Sequence, residues 1–273
     1  MTTPVKLAVF AAVLAVVFGA AALAGGAVGR IHDPAAAASD EMNMELDPIR
    51  GLSTSENGLT LDLARRAAHP DQAFRLAFRI LAADGRAVRD FDVEHTKRMH
   101  LILVRRDLTG FQHLHPRLLP DGTWTTPATL PQAGTYRVFA DFSVDGKPTT
   151  LADDLQVDGD VHSRDLPAPA KSALADGFRV RLTDGAVRAD EESALTFEVT
   201  RDGRPVSLQD YLGAKGHLVA LRQGDLAFLH VHPDPSSLRF EATFPNAGSY
   251  RLFLQFKVAG HVHTAAFTLE VTP

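Results

Sequence analysis

An internal duplication constrains the fold of this chain of 273 residues more than any other feature of its sequence. The segment Pro131–Phe139 is matched by Pro245–Phe253, and Asp84–Arg86 is matched by Asp202–Arg204. The matched segments stand in the same order in both halves of the chain. The length of the chain agrees with this arrangement, because a domain typically has about 100–200 residues. The sequence therefore predicts two domains of the same kind, one after the other.

Each half of the chain has the pattern of short β-strands joined by turns. Apolar and polar residues alternate in Leu59–Leu63 and in Phe74–Ile80, which is the period of a strand with one buried face. Asp-Gly turn pairs such as Asp121–Gly122 recur between these runs. Long helical periodicity is absent from both halves. The pattern predicts an all-β fold of two tandem immunoglobulin-like β-sandwiches after an N-terminal hydrophobic helix.

The expected domain organisation has five parts. They are a signal peptide or transmembrane anchor at residues 1–30, a flexible tether at 31–57, the first β-sandwich at 58–157, a linker at 158–173, and the second β-sandwich at 174–273. The tether is rich in alanine and polar residues and lacks periodicity, and the linker contains Pro167 and Pro169.

The N-terminal segment predicts where the protein resides. Lys6 precedes an apolar run from Leu7 to about Val28, which is close to the ~20 residues that span a bilayer. The segment Ala22–Ala24 also has the small-x-small form of a signal-peptide cleavage site. With either an uncleaved anchor or a cleaved signal peptide, the rest of the chain is expected outside the cytoplasm, either anchored to the cell membrane or secreted.

Composition and motifs argue against several functional classes. The chain has 28 Lys and Arg against 33 Asp and Glu, and its basic residues are scattered, so nucleic-acid binding is not expected. It has no cysteine, which excludes disulfides, thiolate metal sites and cysteine nucleophiles. It also lacks a Gly-x-Ser-x-Gly elbow, a phosphate-binding glycine loop and a His-Glu-x-x-His helix. We therefore do not expect an enzyme.

A histidine hairpin motif occurs once in each half. Its three histidines are His100, His113 and His115 in the first copy, and His217, His230 and His232 in the second. Pairing Arg105 with Gly110 around the first turn places Ile102 opposite His113 and His100 opposite His115. Side chains alternate along a strand, so both histidines of each His-x-His share one face. Each copy thus predicts three imidazoles in one patch, and imidazole is a ligand for copper, zinc and other transition metals.

A further His-x-His pair stands at the last hairpin of the second half. It consists of His261 and His263, where the first half has Lys147 and Thr149. If the last hairpin lies beside the second histidine patch, that patch gains one or two more imidazoles. If it does not, the pair forms a separate weak surface site. Both alternatives keep His261 and His263 among the candidate metal ligands.

Residues just before the first hairpin are candidates for completing its metal site. The fourth ligand position is open to water, His95 or Met99, although Met99 should face away if the strand is regular. Asp92 and Glu94 are candidate partners that hold the ligand histidines in one tautomer.

The chain resembles exported actinobacterial β-sandwich proteins, many of them uncharacterised and some described as heavy-metal-binding. The residues that carry the resemblance are His100–Pro116, Tyr211–Ala214 leading into His217, and His230–Pro233. The match covers both sandwiches. In outline the chain is also similar to YtkA-like exported domains that are linked to copper handling. The resemblance implies extracytoplasmic metal binding, with a copper ion ahead of a zinc ion.

The predicted function is extracytoplasmic transition-metal binding, copper before zinc, for buffering, delivery or sensing. Cu(II) binds more tightly than Zn(II) at a given nitrogen site. The alternative is a cell-envelope interaction or scaffold module in which the histidines are structural, and Pro116 and Pro233 simply end strands. The expected partners are a metal ion, a protein of the envelope, and the membrane through the N-terminal segment.

Overall fold

A computed structural model describes residues 49–184, 186–229 and 231–273 of the chain. The expected N-terminal hydrophobic helix and most of the expected tether lie outside these residues. Within them, no helix is long and apolar enough to cross a membrane. The described residues form β-strands, turns and loops.

The first sandwich consists of two five-stranded sheets. One sheet has the order β1 (Ser55–Glu56), β2 (Leu59–Leu63), β4 (Ala73–Leu81), β8 (Trp124–Thr129) and β7 (Arg117–Leu118). The other has the order β3 (Ala67–Ala68), β10 (Lys147–Val157), β9 (Gly134–Val144), β5 (His100–Arg105) and β6 (Gln112–Leu114). Apolar side chains from both sheets, such as Leu76, Leu101 and Tyr136, fill the space between them.

The second sandwich repeats this arrangement strand for strand. One sheet has the order β11 (Ser172–Ala175), β12 (Phe178–Leu182), β14 (Glu192–Arg201), β19 (Arg239–Thr243) and β18 (His232–Pro233), with β15 (Arg204–Pro205) also paired to β14. The other has the order β13 (Val187–Arg188), β21 (His261–Thr272), β20 (Gly248–Val258), β16 (Gly216–Arg222) and β17 (Phe228–Leu229). The predicted all-β fold of two tandem immunoglobulin-like β-sandwiches is confirmed. Its strands begin at Ser55 and Ser172, a few residues before the predicted starts of the two domains.

The sheets that contain β5 and β16 face each other across the boundary between the sandwiches. In β5, Leu101 belongs to the core of the first sandwich, whereas Ile102 packs into a third apolar cluster. In β16, Val219 reaches the same cluster from the second sandwich. The members of this interdomain cluster are Ile102, Val104, Leu108, Phe139, Ala152, Val219, Leu221, Leu226, Phe228 and Phe253. Both faces of β5 are therefore covered, which accounts for its unbroken apolar run.

The last residues of the expected tether pack between the two sandwiches and differ from the flexible chain predicted for residues 31–57. Gly51 N donates to Thr150 O of β10 at 3.1 Å, and Phe228 N of β17 donates to Arg50 O at 2.9 Å. Gly51 has φ +71°, and a Cβ there would lie 2.8 Å from the Phe139 ring. The backbone pairing and the close approach that glycine permits hold this segment in place.

Candidate metal centre

The first histidine hairpin closes in the predicted register. Ile102 pairs with His113, and Leu101 pairs with Leu114, so the same register sets His100 opposite His115. Since Ile102 faces the second sandwich, the alternation of the strands turns His100 and His113 toward it as well. The hairpin therefore presents its imidazoles to the interface between the sandwiches.

His100, His113 and His115 form a compact triad at this interface. One ring nitrogen of each lies within 4.8 Å of the corresponding nitrogens of the other two. The three ring centroids are 4.7 to 5.2 Å apart. Imidazoles that share one tetrahedral ion at about 2.0–2.1 Å have centroids about 5 Å apart. The spacing of the triad suits a single metal ion.

Hydrogen bonds on the outer side of the triad indicate where its protons lie. His100 Nε2 is 3.1 Å from the backbone oxygen of Glu94, and His113 Nδ1 is 2.7 Å from Oε1 of Gln255. Both oxygens are acceptors, so we assign the ring protons to these outer nitrogens. A neutral ring then keeps a lone pair on its other nitrogen. The two remaining nitrogens, His100 Nδ1 and His113 Nε2, face each other at 3.0 Å.

Burial keeps the imidazoles of the site neutral. Together with a smaller effect of the neighbouring histidines, it lowers the pKa of His113 to about 3 and that of His115 to about 4. Burial also lowers the pKa of His100 and of His217. Nε2 of His115 is buried without a hydrogen-bond partner among the described residues. The site therefore offers several imidazole lone pairs to a cation at neutral pH.

His217 of the second sandwich lies against the triad of the first. Its ring stacks on His100 with centroids 5.4 Å apart and an interplanar angle of 7°, and its centroid lies 4.7 Å from that of His113. His100 and His217 occupy the same position in the two copies of the motif. Histidines that the sequence assigns to two separate patches thus meet in one cluster. The reason is that the two repeats pack face to face.

His95 covers the cluster from a tight turn. Its ring centroid lies 6.1 Å from that of His100 and 5.8 Å from that of His217. His95 and Thr96 both have positive φ, at 47° and 68°, and the flanking Glu94 and Lys97 exchange two backbone hydrogen bonds. His95 is placed to approach an ion bound by the triad.

The other two histidines of the second hairpin are His230 and His232. His230 lies outside the described residues. His232 is exposed and lines a cavity of about 230 Å³ together with Asp141, His95 and His100. This cavity connects the cluster with solvent, which gives an ion a route to the site.

The third His-x-His pair does not join the cluster. His263 Nδ1 donates to Asp176 Oδ2 at 2.8 Å, and the ring packs against Phe178 and Phe256 at one end of the second core. His261 is exposed. The register explains this placement, because Thr264 pairs with Gln255 and shares its face, whereas His263 faces the core. Of the two predicted alternatives for this pair, the structure agrees with a position apart from the cluster.

Two expected partners of the site are placed elsewhere. Met99 is 1 % exposed and belongs to the core of the first sandwich, so it faces away from the triad as a regular strand requires. Asp92 accepts hydrogen bonds from Ser143 Oγ and Gly146 N instead of a histidine. Glu94 contacts His100 through its backbone oxygen and not through its carboxylate.

Gln255 is a residue of the site that sequence reasoning missed. It lies in β20 within the apolar run Phe253–Phe256 and is 6 % exposed. A polar side chain in the middle of a buried strand needs a hydrogen-bond partner, and that requirement is the signal that could have identified it. Its partner, His113, is 142 residues away in the sequence.

Comparison with known families finds one match, and it covers both sandwiches. Residues 53–159 and 172–273 match the model described as "Domain of unknown function (DUF8832)". No curated protein sequence matches the chain. The two matched segments agree with the internal duplication seen in the sequence and in the strand order.

Solved structures of multidomain β-proteins are similar to the chain at low identity. The Escherichia coli adhesin FdeC is 16% identical, with 83% of this chain and 66% of that chain covered and a TM-score of 0.29. The alpha-2-macroglobulin of Escherichia coli is 12% identical, with 79% and 20% covered and a TM-score of 0.29. The fibronectin(III)-like modules of Clostridium thermocellum CbhA are 10% identical, with 78% and 94% covered and a TM-score of 0.23. The chain thus spans less than two thirds of FdeC and a fifth of alpha-2-macroglobulin.

Proposed function

The chain belongs to the DUF8832 family, and we propose that its function is to bind a transition-metal ion at the triad His100, His113 and His115. The observation that carries the proposal is the 3.0 Å separation of His100 Nδ1 and His113 Nε2, two nitrogens that both hold lone pairs in the tautomers assigned above. Facing lone pairs repel each other, and a cation between them turns the repulsion into attraction. The lowered pKa values of both rings argue against a second proton on either ring, which would occupy one of these lone pairs.

The surroundings of the triad support this proposal. Ligand histidines usually donate their second ring N–H to a carbonyl or carboxylate oxygen, which fixes the tautomer. His100 does so to Glu94 O, and His113 does so to Gln255 Oε1. The buried Nε2 of half-buried His115 adds a third nitrogen without a competing partner among the described residues.

The ligand set favours copper, followed by zinc. Imidazole nitrogens suit both ions, and at a given nitrogen site Cu(II) binds more tightly than Zn(II). Three protein ligands leave a further coordination position for water or an exchanging ligand. Such a site fits buffering or delivery of the ion. We place this activity outside the cytoplasm because of the apolar N-terminal run in residues 1–30.

The second candidate function is that of a cell-envelope interaction or scaffold module with structural histidines. The observation that favours it is β11, an edge strand on which the apolar side chain of Leu174 is 71% exposed. An open strand edge with an apolar side chain offers a partner protein a place for strand addition. This candidate requires no metal.

Calorimetric titration of the purified full-length chain with Cu(II) and Zn(II) at pH 7.4 tests the metal proposal. We expect submicromolar binding, tighter for Cu(II), and a loss of affinity of at least about 100-fold in His113→Ala/His115→Ala. The double variant His69→Ala/His162→Ala removes two exposed histidines and serves as the matched control. Binding no tighter than micromolar in the wild type, or equal affinity in the triad variant, would overturn the proposal in favour of the interaction module.

A further inference from the structure

We infer that the second sandwich controls the metal site of the first, with Gln255 as the positioning residue that keeps His113 ready to bind the ion. The inference rests on the proposed metal-binding function. It adds that metal binding requires both sandwiches. The ligand His113 lies in the first sandwich, and its metal-binding tautomer is set by Gln255 of the second.

Gln255 is held in the orientation that this role requires. It pairs with His217 in the ladder between β20 and β16, so its side chain emerges at the histidine cluster. Its Oε1 accepts from His113 at 2.7 Å, while its Nε2 donates to Thr264 Oγ1 at 3.4 Å on the adjacent strand. In this orientation the amide oxygen, and not the nitrogen, meets His113.

The chemistry follows from which nitrogen of His113 carries the proton. With an acceptor at Nδ1, the proton stays there, and the lone pair of Nε2 points to His100 Nδ1 at 3.0 Å. Without that acceptor, the proton moves to Nε2 and is donated to His100 Nδ1. The resulting bond between the two histidines would occupy both metal-binding lone pairs. Gln255 therefore prevents a hydrogen bond between His113 and His100 that would block metal binding.

His217 provides a second contact from the same sandwich. Its ring stacks on both His100 and His113, which restricts their rotation. The residues that orient the triad thus come from β16 and β20 of the second repeat, while the ligands come from β5 and β6 and the loop after β6 of the first. The face-to-face packing of the two sandwiches thus surrounds the triad with side chains that the first sandwich does not supply.

Nitrogen NMR of the metal-free full-length chain, labelled with ¹⁵N-histidine, reads the tautomer of His113 directly. We expect the Nδ1–H form in the wild type and in Gln255→Glu, which retains an acceptor oxygen. We expect the Nε2–H form in Gln255→Leu, which removes the acceptor at similar volume. Gln156→Leu is the matched control, because Gln156 is an exposed residue of β10 that bonds to Thr135.

Metal affinity provides the second readout. Gln255→Leu should bind Cu(II) about 10–100-fold more weakly than the wild type, whereas Gln255→Glu should stay within a few-fold of it. If Gln255→Leu does not fold, Gln255→Met gives the same test with a more adaptable side chain. Wild-type affinity in the acceptor-free variant, or an equal loss in Gln255→Glu, would overturn the inference.

The two readouts separate the inference from the proposed function. If the wild type binds metal and the His113 tautomer does not depend on residue 255, the inference is wrong and the metal site stands. If the tautomer depends on residue 255 but neither the wild type nor any variant binds metal, the proposed function is wrong. The contact between Gln255 and His113 is then purely structural, and the inference is overturned as well.

Discussion

His113 shows at the scale of one residue how this protein holds a polar group inside an interface. Its ring lies between two sheets, and burial lowers its pKa to about 3. One nitrogen is satisfied by Gln255, and the other faces a nitrogen of His100. Such a strongly perturbed pKa is typical of titratable groups at functional sites. Packing alone does not require this arrangement.

The buried histidines predict that the metal-free protein loses stability in mild acid. In the unfolded chain they bind protons near pH 6.5, whereas folded His113 and His115 stay neutral to about pH 3 and about pH 4. The unfolded state therefore takes up more protons as the pH falls below 6.5, which favours unfolding. Each such histidine lowers the free energy of unfolding by up to about 1.4 kcal/mol per pH unit.

Urea unfolding between pH 7.5 and pH 5 measures this dependence. The slope of unfolding free energy against pH should be smaller in His113→Phe, because one of the titrating groups is gone. His261→Ala, which removes an exposed histidine, is the control variant. Equal slopes for His113→Phe and the wild type would contradict the prediction.

At the scale of elements, the turn after β5 anchors the linker between the sandwiches. Arg105 and Asp107 form an ion pair there, with side chains only 5% and 8% exposed. Arg105 also donates to His162 O at 2.8 Å, and Asp107 accepts from Arg164 N at 2.9 Å. The corresponding region of the second copy has a more exposed ion pair. The linker is thus held by side chains of the first histidine hairpin.

Removing the carboxylate of Asp107 should destabilise the folded protein. Asp107→Ala leaves the guanidinium of Arg105 buried without its partner, and we expect a loss of about 3–5 kcal/mol in the free energy of unfolding. The matched change Asp225→Ala in the second copy affects a pair with side chains 18% and 40% exposed, and it should cost about 1 kcal/mol or less. Guanidinium denaturation of both variants checks this, and equal losses would contradict the prediction.

At the scale of the whole molecule, the two sandwiches share one interface. Phe111 of the first stacks on Phe253 of the second with centroids 4.1 Å apart, and Phe139 meets Phe228 at 5.6 Å. The histidine cluster lies beside this apolar contact, so its geometry depends on how the sandwiches dock. Stability and metal affinity should therefore change together.

A charge placed in the interface tests this dependence. Val219 is 1 % exposed and belongs to the interdomain cluster, so Val219→Asp should cost about 3 kcal/mol or more. We expect differential scanning calorimetry to show two separate transitions in place of one, together with weaker metal binding. Val262→Asp, at a position 41 % exposed on β21, is the control. A single transition with wild-type affinity in Val219→Asp would contradict the prediction.

The sequence by itself determined the strands, the duplication and the register of the first hairpin. These features are local. The side chains of a strand point to the same face at every second residue, and a short turn sets which residues of two strands pair. The face-to-face packing of the repeats is not local, since it depends on apolar surfaces such as Val219 and Phe139 that look like ordinary strand positions. Only the tertiary structure could therefore bring His217 to the triad and Gln255 to His113, because partners 142 residues apart leave no common pattern in the chain.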